Sequence, residues 1–326
     1  MIAKRHFRKF LMTLVMLVLT QGCGQAVSNT PVLASSATMS VLITETPAAT
    51  NTAIRSATQL LPSATSEVEG QIDLSKMTVE EWASTSPDGA WIATGLVAFP
   101  KADLGGQLLA YSRLLIFSAD GKTHWVIIDE LQEIGLGFPS PVPLQWSKDG
   151  KYFYFTHRVT PDGCSAFPFL TDLQQVNLQN GILETLLPDP ALALALSPDD
   201  SQVAYFSGRL ILRDLITGEK REIKIDPGYV FDAGNILWSP DSKSLTITLA
   251  INPCTGVYGI SKTVWAESTT ILLVDVKTLE QKILIKEDPR LFVTVEWNTP
   301  DKITVTDGEE NSLWYLNINT GEITRE

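Results

Sequence analysis

The chain has 326 residues and three cysteines, and its 37 acidic side chains outweigh 25 basic ones to give a formal net charge of −12. That charge repels a phosphate backbone, which excludes nucleic acid as a partner, and it disfavours peripheral binding to anionic lipid. The length suits one large all-β domain, since sandwiches and barrels of more than 200 residues fold as single units.

At the N-terminus Lys4, Arg5, Arg8 and Lys9 precede an apolar run from Phe10 to Leu19, followed by Thr20-Gln21-Gly22-Cys23. A basic start, a short apolar run and a small residue before the cut make a secretory signal; the run is short for a membrane span. Cysteine at this place resembles the bacterial lipobox, with Thr20 and Gln21 departing from its usual residues. The resemblance implies that residues 1–22 are a lipoprotein signal peptide and that Cys23 is the lipidation site. The mature chain is then an extracytoplasmic, membrane-anchored lipoprotein of the bacterial cell envelope. Removing the four signal bases leaves 21 bases against 37 acids, a net −16.

From Cys23 to Gly70 the sequence is mostly Ser, Thr, Ala and Pro, with Glu45, Arg55, Glu67 and Glu69 as its only charges and no aromatic residue. Such a segment buries too little to offset its ordering entropy, which predicts a disordered linker. The folded domain is expected at 71–326.

Five turn segments recur from there on: Ser86-Pro87-Asp88-Gly89, Ser147-Lys148-Asp149-Gly150, Ser197-Pro198-Asp199-Asp200, Ser239-Pro240-Asp241-Ser242 and Thr299-Pro300-Asp301-Lys302. Trp146, Trp238 and Trp297 stand just upstream in three repeats and Leu196 in another; the first repeat lacks this residue, although Trp82 is close. Each turn leads into a β-rich run, so each unit reads as a hairpin. A second hairpin follows in every repeat, with turn glycines Gly121, Gly181, Gly218 and Gly321, and Leu279 at that place in the fourth. Four strands repeated five times predict an all-β, five-bladed β-propeller of four-stranded antiparallel blades.

This pattern of Trp-Ser-Pro-Asp-Gly, strand, short apolar strand, Asp and Thr-Gly-Glu resembles the WD40-like repeats of TolB-type propellers over residues 78 to 326. The resemblance implies the fold; such propellers serve as binding platforms, peptidase docking domains and sensors, so it leaves function open. Both termini supply complete repeats, which predicts a ring joined between intact blades.

Repeats three and five are near-minimal, whereas one, two and four carry insertions around Pro100–Leu109, Thr160–Asp172 and Asn252–Thr269. All three join the second and third strands of their blade, which places them on one face, opposite the tight turns. Function on rigid scaffolds concentrates in such loops. Phe167, Phe169, Tyr258 and Trp265 lie in otherwise polar insertions and are the candidate binding residues. With Cys23 acylated, Cys164 and Cys254 remain as an even pair in an oxidising compartment, at matching places in two of these loops. They are a candidate disulfide, with two separate buried thiols as the competing reading.

Catalytic chemistry is thin. After His6 leaves with the signal, His124 and His157 remain and form neither a metal site nor a triad in sequence; no nucleophile elbow is present, and neither a catalytic residue, a metal site nor a cofactor is expected. The innermost strands offer Glu80, Glu81, Asp232 and Glu296, acids of the kind a glycosidase would need. The sequence reading is therefore a monomeric, non-enzymatic module that binds an envelope protein, peptide or glycan through the long-loop face. The alternatives are a carbohydrate-active hydrolase using the channel carboxylates and a purely structural envelope protein.

Overall fold

A computed structural model describes residues 57–59, 72–101, 109–134, 138–159, 167–188, 191–225, 231–251, 268–307 and 312–325. Cys23, Cys164, Cys254, Tyr258 and Trp265 lie outside the described residues.

The described chain folds as a five-bladed β-propeller. The linker contributes one short strand, β1 (Ala57–Gln59). Blade 1 comprises β2 (Met77–Thr85), β3 (Trp91–Pro100), β4 (Leu109–Ser118) and β5 (His124–Glu133). Blade 2 comprises β6 (Pro139–Trp146), β7 (Tyr152–Val159), β8 (Phe169–Asn177) and β9 (Ile182–Leu187). Blade 3 holds β10 (Ala193–Leu196), β11 (Gln202–Phe206), β12 (Leu210–Asp214) and β13 (Lys220–Ile223). Blade 4 holds β14 (Phe231–Trp238), β15 (Ser244–Ile251), β16 (Thr269–Asp275) and β17 (Gln281–Asp288). Blade 5 holds β18 (Val293–Thr299), β19 (Lys302–Thr306), β20 (Leu313–Asn317) and β21 (Ile323–Arg325). Every blade is antiparallel and built from consecutive strands, so no strand is exchanged between the first and last. Strand β1 pairs antiparallel with the outer edge of β9.

Burial follows radial position. The second strand of each blade is flanked by strands on both sides and covered on both faces, so Phe153, Phe155, Val203, Ala204, Leu245 and Ile247 are buried in near-continuous runs. Outer strands need cover on one face only, and β13 and β21 are largely exposed. A buried side chain of this size contributes about 1.5–3 kcal/mol, so inter-blade packing carries the fold.

The repeated turns share one construction. The serine hydroxyl donates to the aspartate two residues on, at 2.6 Å for Ser86–Asp88 and 2.8 Å for Ser147–Asp149 and Ser239–Asp241, and also accepts the backbone N–H that starts the next strand. The fourth turn residue has positive φ in repeats one to four: Gly89 at 72°, Gly150 at 69°, Asp200 at 62° and Ser242 at 59°. In the fifth repeat Thr299 pairs directly with Lys302, which makes a tighter connection. Leu279 takes φ 62°, the same left-handed conformation as the glycines at its place in other repeats.

Adjacent blades are tied by side-chain donors that reach across. Trp82 Nε1 of blade 1 donates to the Pro141 carbonyl of blade 2 at 3.1 Å, and Trp146 Nε1 donates back to Ser84 Oγ at 2.9 Å. Trp238 Nε1 donates to the Ala195 carbonyl, Arg221 to the Val276 carbonyl and Asn235 to the Thr294 carbonyl. The residue before each turn (Trp146, Leu196, Trp238 or Trp297) packs into a cluster shared with the preceding blade. Blade 1 has Thr85 there, exposed, and Trp82 does not replace it: its ring lies over Gly95 and Phe153, facing blade 2.

Candidate functional site

The alternation of strands and turns fixes two ends. The Ser-Pro-Asp and Thr-Gly turns occupy one; the connections between second and third strands, and between blades, occupy the other. Blades 1, 2 and 4 carry their long insertions on that second end, and polar groups stand near it on β2, β7 and β8.

Glu80 on β2 and Arg158 on β7 meet between blades 1 and 2, with Arg158 Nη2 3.3 Å from Glu80 Oε2 and both side chains mostly covered, at 21% and 30% exposure. Beside Arg158, His157 Nδ1 lies 3.0 and 3.2 Å from the two Asp172 oxygens. The Asp172 carboxylate also accepts from the Gln174 amide, and the Thr156 hydroxyl donates to the Thr171 and Asp172 carbonyls. Asp172 sits at φ 39°, where the β7–β8 register shifts between Phe155 and His157. Non-glycine residues held in that region cost about 1–3 kcal/mol and persist only where their surroundings over-determine them. A neutral ring that gives Nδ1–H to the carboxylate presents Nε2 as an acceptor. The Phe155 ring meets His157 edge-on, centroids 5.6 Å apart, and fixes the plane of the imidazole.

Two of the four candidate aromatics are described. Phe169 opens β8 opposite Val159, one ladder step from Arg158. Phe167, in the same connection of blade 2, lies against Gly234 on the innermost strand of blade 4. Its ring passes blade 3 to reach a backbone that only a glycine leaves open.

The four candidate channel acids do not assemble into one pair. Glu80 and Glu81 are neighbours on β2 and point to opposite faces; Glu80 meets Arg158, while Glu81 is exposed and borders a groove of about 420 Å³ with Ala83, Thr94, Leu96 and Arg113. Asp232 is fully buried on β14, and Glu296 is exposed on β18. Among the described residues no group of three or more His, Cys, Asp or Glu side chains is placed to hold a metal ion.

The His157–Asp172 pair escaped sequence reasoning. It joins two strands through a bulge, its partners fifteen positions apart. The one local signal was a histidine closing the run Tyr152-Phe153-Tyr154-Phe155-Thr156.

No protein-family model matches the sequence, and a search of curated proteins finds no relative. Among solved structures the chain is similar to an oligogalacturonate lyase from Vibrio parahaemolyticus, at 14% identity and a TM-score of 0.43, covering 76% of this chain and 59% of that one. It is similar to TolB from Acinetobacter baumannii at 16% identity and a TM-score of 0.41, covering 81% and 73% of the two chains. A structure from a study of two prolyl endopeptidases matches at 12% identity and a TM-score of 0.46, over 77% of this chain and 36% of that one. The chain thus spans about three-fifths of the lyase and about a third of the endopeptidase.

These neighbours correct the expectation of a non-enzymatic module. An oligogalacturonate lyase and a structure from a study of prolyl endopeptidases stand among the solved structures similar to this chain. Lack of a linear catalytic motif was a poor ground for exclusion, because pairs such as His157–Asp172 are assembled across strands and leave no such motif.

Proposed function

We propose that the protein is a membrane-anchored, extracytoplasmic propeller that binds a protein, peptide or glycan ligand at its long-loop end. Acylated Cys23 supplies the anchor and the linker sets the domain off the membrane, a reading that rests on the signal pattern of the first 23 residues. Cys164 and Cys254 bridge two of the loops in this reading, and the protein acts as a monomer.

The observation that carries the binding end is Phe167 seated on Gly234. It brings an aromatic from blade 2 over the innermost strand of blade 4, at the same end as Glu80, Arg158, His157 and Asp172. Polar side chains and aromatic rings presented at one end of rigid strands suit a recognition surface.

The test is a photo-crosslinking residue placed at Phe169 in cells carrying the full-length lipoprotein, with the same residue at Ile216 on the turn end as a control. Adducts formed at Phe169 and absent at Ile216 support the reading. Adducts confined to Ile216 overturn it.

A further inference from the structure

The fourth strand of each blade turns its far edge outward, and an open edge invites pairing with another chain unless charge or cover blocks it. Four blades carry the charge. Glu130 on β5, Lys220 and Glu222 on β13, Lys282 and Lys286 on β17 and Arg325 on β21 are all charged and exposed. The outer strand of blade 2 is different. β9 reads Ile182-Leu183-Glu184-Thr185-Leu186-Leu187, four apolar residues and a single charge. That charge is turned back into the sheet: Glu184 Oε2 accepts from Gln175 Nε2 of β8 at 2.7 Å.

Cover replaces charge on this edge. β1 pairs with it antiparallel, Ala57 opposite Glu184, Thr58 opposite Leu183 and Gln59 opposite Ile182, which makes blade 2 the one five-stranded sheet among the described residues. Further along β9, Arg213 Nη1 of blade 3 donates to the Leu186 carbonyl at 2.9 Å. Both ends of β9 are thus met from outside its own four-strand repeat, and none of its residues is exposed, unlike those of the other four outer strands.

We propose that Ala57-Thr58-Gln59 is an edge guard: this uncharged segment of the linker docks on β9 and keeps it from pairing with β9 of a second copy. An apolar, charge-poor strand with a free edge associates edge to edge, and two copies of one strand meet antiparallel about a two-fold axis. The linker then does more than space the propeller from its anchor; its three guard residues supply for blade 2 what charge supplies elsewhere. The guard makes three residue pairs with β9, against nine between β2 and β3, so its removal leaves the packing of the blades in place.

The experiment compares the full-length protein in detergent with two triple variants. One combines Ala57→Pro, Thr58→Pro and Gln59→Pro, which removes every ladder donor of β1; the other combines Ala57→Gly, Thr58→Gly and Gln59→Gly, which weakens the strand. Amide exchange in dilute protein reads the guard at Ile182, Leu183 and Glu184, and sedimentation velocity over a concentration series reads association. In the proline variant, exchange at one or more of these amides is expected to rise roughly tenfold or more, with the amides of β11 unchanged. The same variant is expected to pass from monomer to dimer or larger at concentrations where the native sequence stays monomeric, with the glycine variant in between. Adding Ile182→Lys puts a charge on the bare edge and should restore the monomer. Unchanged exchange in both variants overturns the proposal, and so does faster exchange in a protein that stays monomeric. Association that Ile182→Lys fails to reverse overturns β9 as its site. If β11 also exchanges faster in the proline variant, its blades have loosened, and the glycine variant decides by the same readings.

Discussion

The Phe167 ring lies on the backbone of Gly234, so close that a β-carbon at Gly234 would stand 2.7 Å from Cε1 and 2.9 Å from both Cδ1 and Cζ. A phenyl ring cannot bend out of such a contact; it has to leave. Gly234→Ala is therefore expected to expel Phe167 and to destabilise by about 1–3 kcal/mol, the usual cost of overpacking. Phe167→Ala should absorb most of that cost. A double-mutant cycle in urea checks this, and additive costs would show that the ring does not hold blade 2 to blade 4.

Gly181 and Gly218 occupy the same turn position in blades 2 and 3, with φ of 70° and 75°. A methyl at Gly218 meets nothing within 4 Å, whereas one at Gly181 stands 2.5 Å from Trp125 of blade 1. Gly218→Ala should cost about 1–2 kcal/mol, the penalty of an L-residue in the left-handed region. Gly181→Ala should cost clearly more, because it adds a clash with a ring whose Nε1 donates to the Leu178 carbonyl. Equal costs at the two sites would mean that backbone conformation alone selects glycine there.

The blades were legible because the same short signals recur: a Ser-Asp turn, an apolar second strand, a turn glycine. Their physics is local. The Ser86–Asp88 hydrogen bond has its counterpart in every repeat, with Thr299 in place of serine in the fifth. Leu279 shows the limit, since a leucine at φ 62° does not announce a left-handed turn. The site was legible only in part. Insertion lengths pointed to the long-loop end and to Phe167 and Phe169, but nothing local links Glu80 to Arg158 or His157 to Asp172. Those partnerships depend on how blades 1 and 2 abut and on a bulge between β7 and β8.

Asp200 and Asp241 stand in homologous turns and should respond to pH with opposite signs. Burial pushes the Asp200 carboxyl up, against the Lys148 N–H and Gln145 amide that favour its charge. Its folded form holds a proton more tightly than the unfolded chain, so its stabilising contribution is present at low pH and is lost as the pH rises through the folded value. Asp241 is held low by the Ser239 hydroxyl and then by Lys243, so its contribution is present above the ordinary aspartate range and is lost on acidification. Asp200→Asn should gain stability relative to the native chain as pH rises, and Asp241→Asn should lose it. Urea midpoints at several pH values check both; parallel slopes for the two variants would contradict the assignment.

The remaining prediction concerns Cys164 and Cys254, which fall outside the described residues but between described anchors. Phe167 stands three residues after Cys164 and is fixed on Gly234 of blade 4. Ile251, the last residue of β15, stands three residues before Cys254. Reaching from blade 2 to blade 4 is the step a bridge would need, and Phe167 already makes it. A disulfide between cysteines 90 positions apart would stabilise by about 4–5 kcal/mol in the chain-entropy account. With Cys23 acylated as proposed, titration of the denatured, unreduced chain should find no free thiol, and Cys164→Ser or Cys254→Ser should each expose one and lower the melting temperature by a similar amount. Two thiols titrating in the unreduced native sequence would establish separate buried cysteines in place of the bridge.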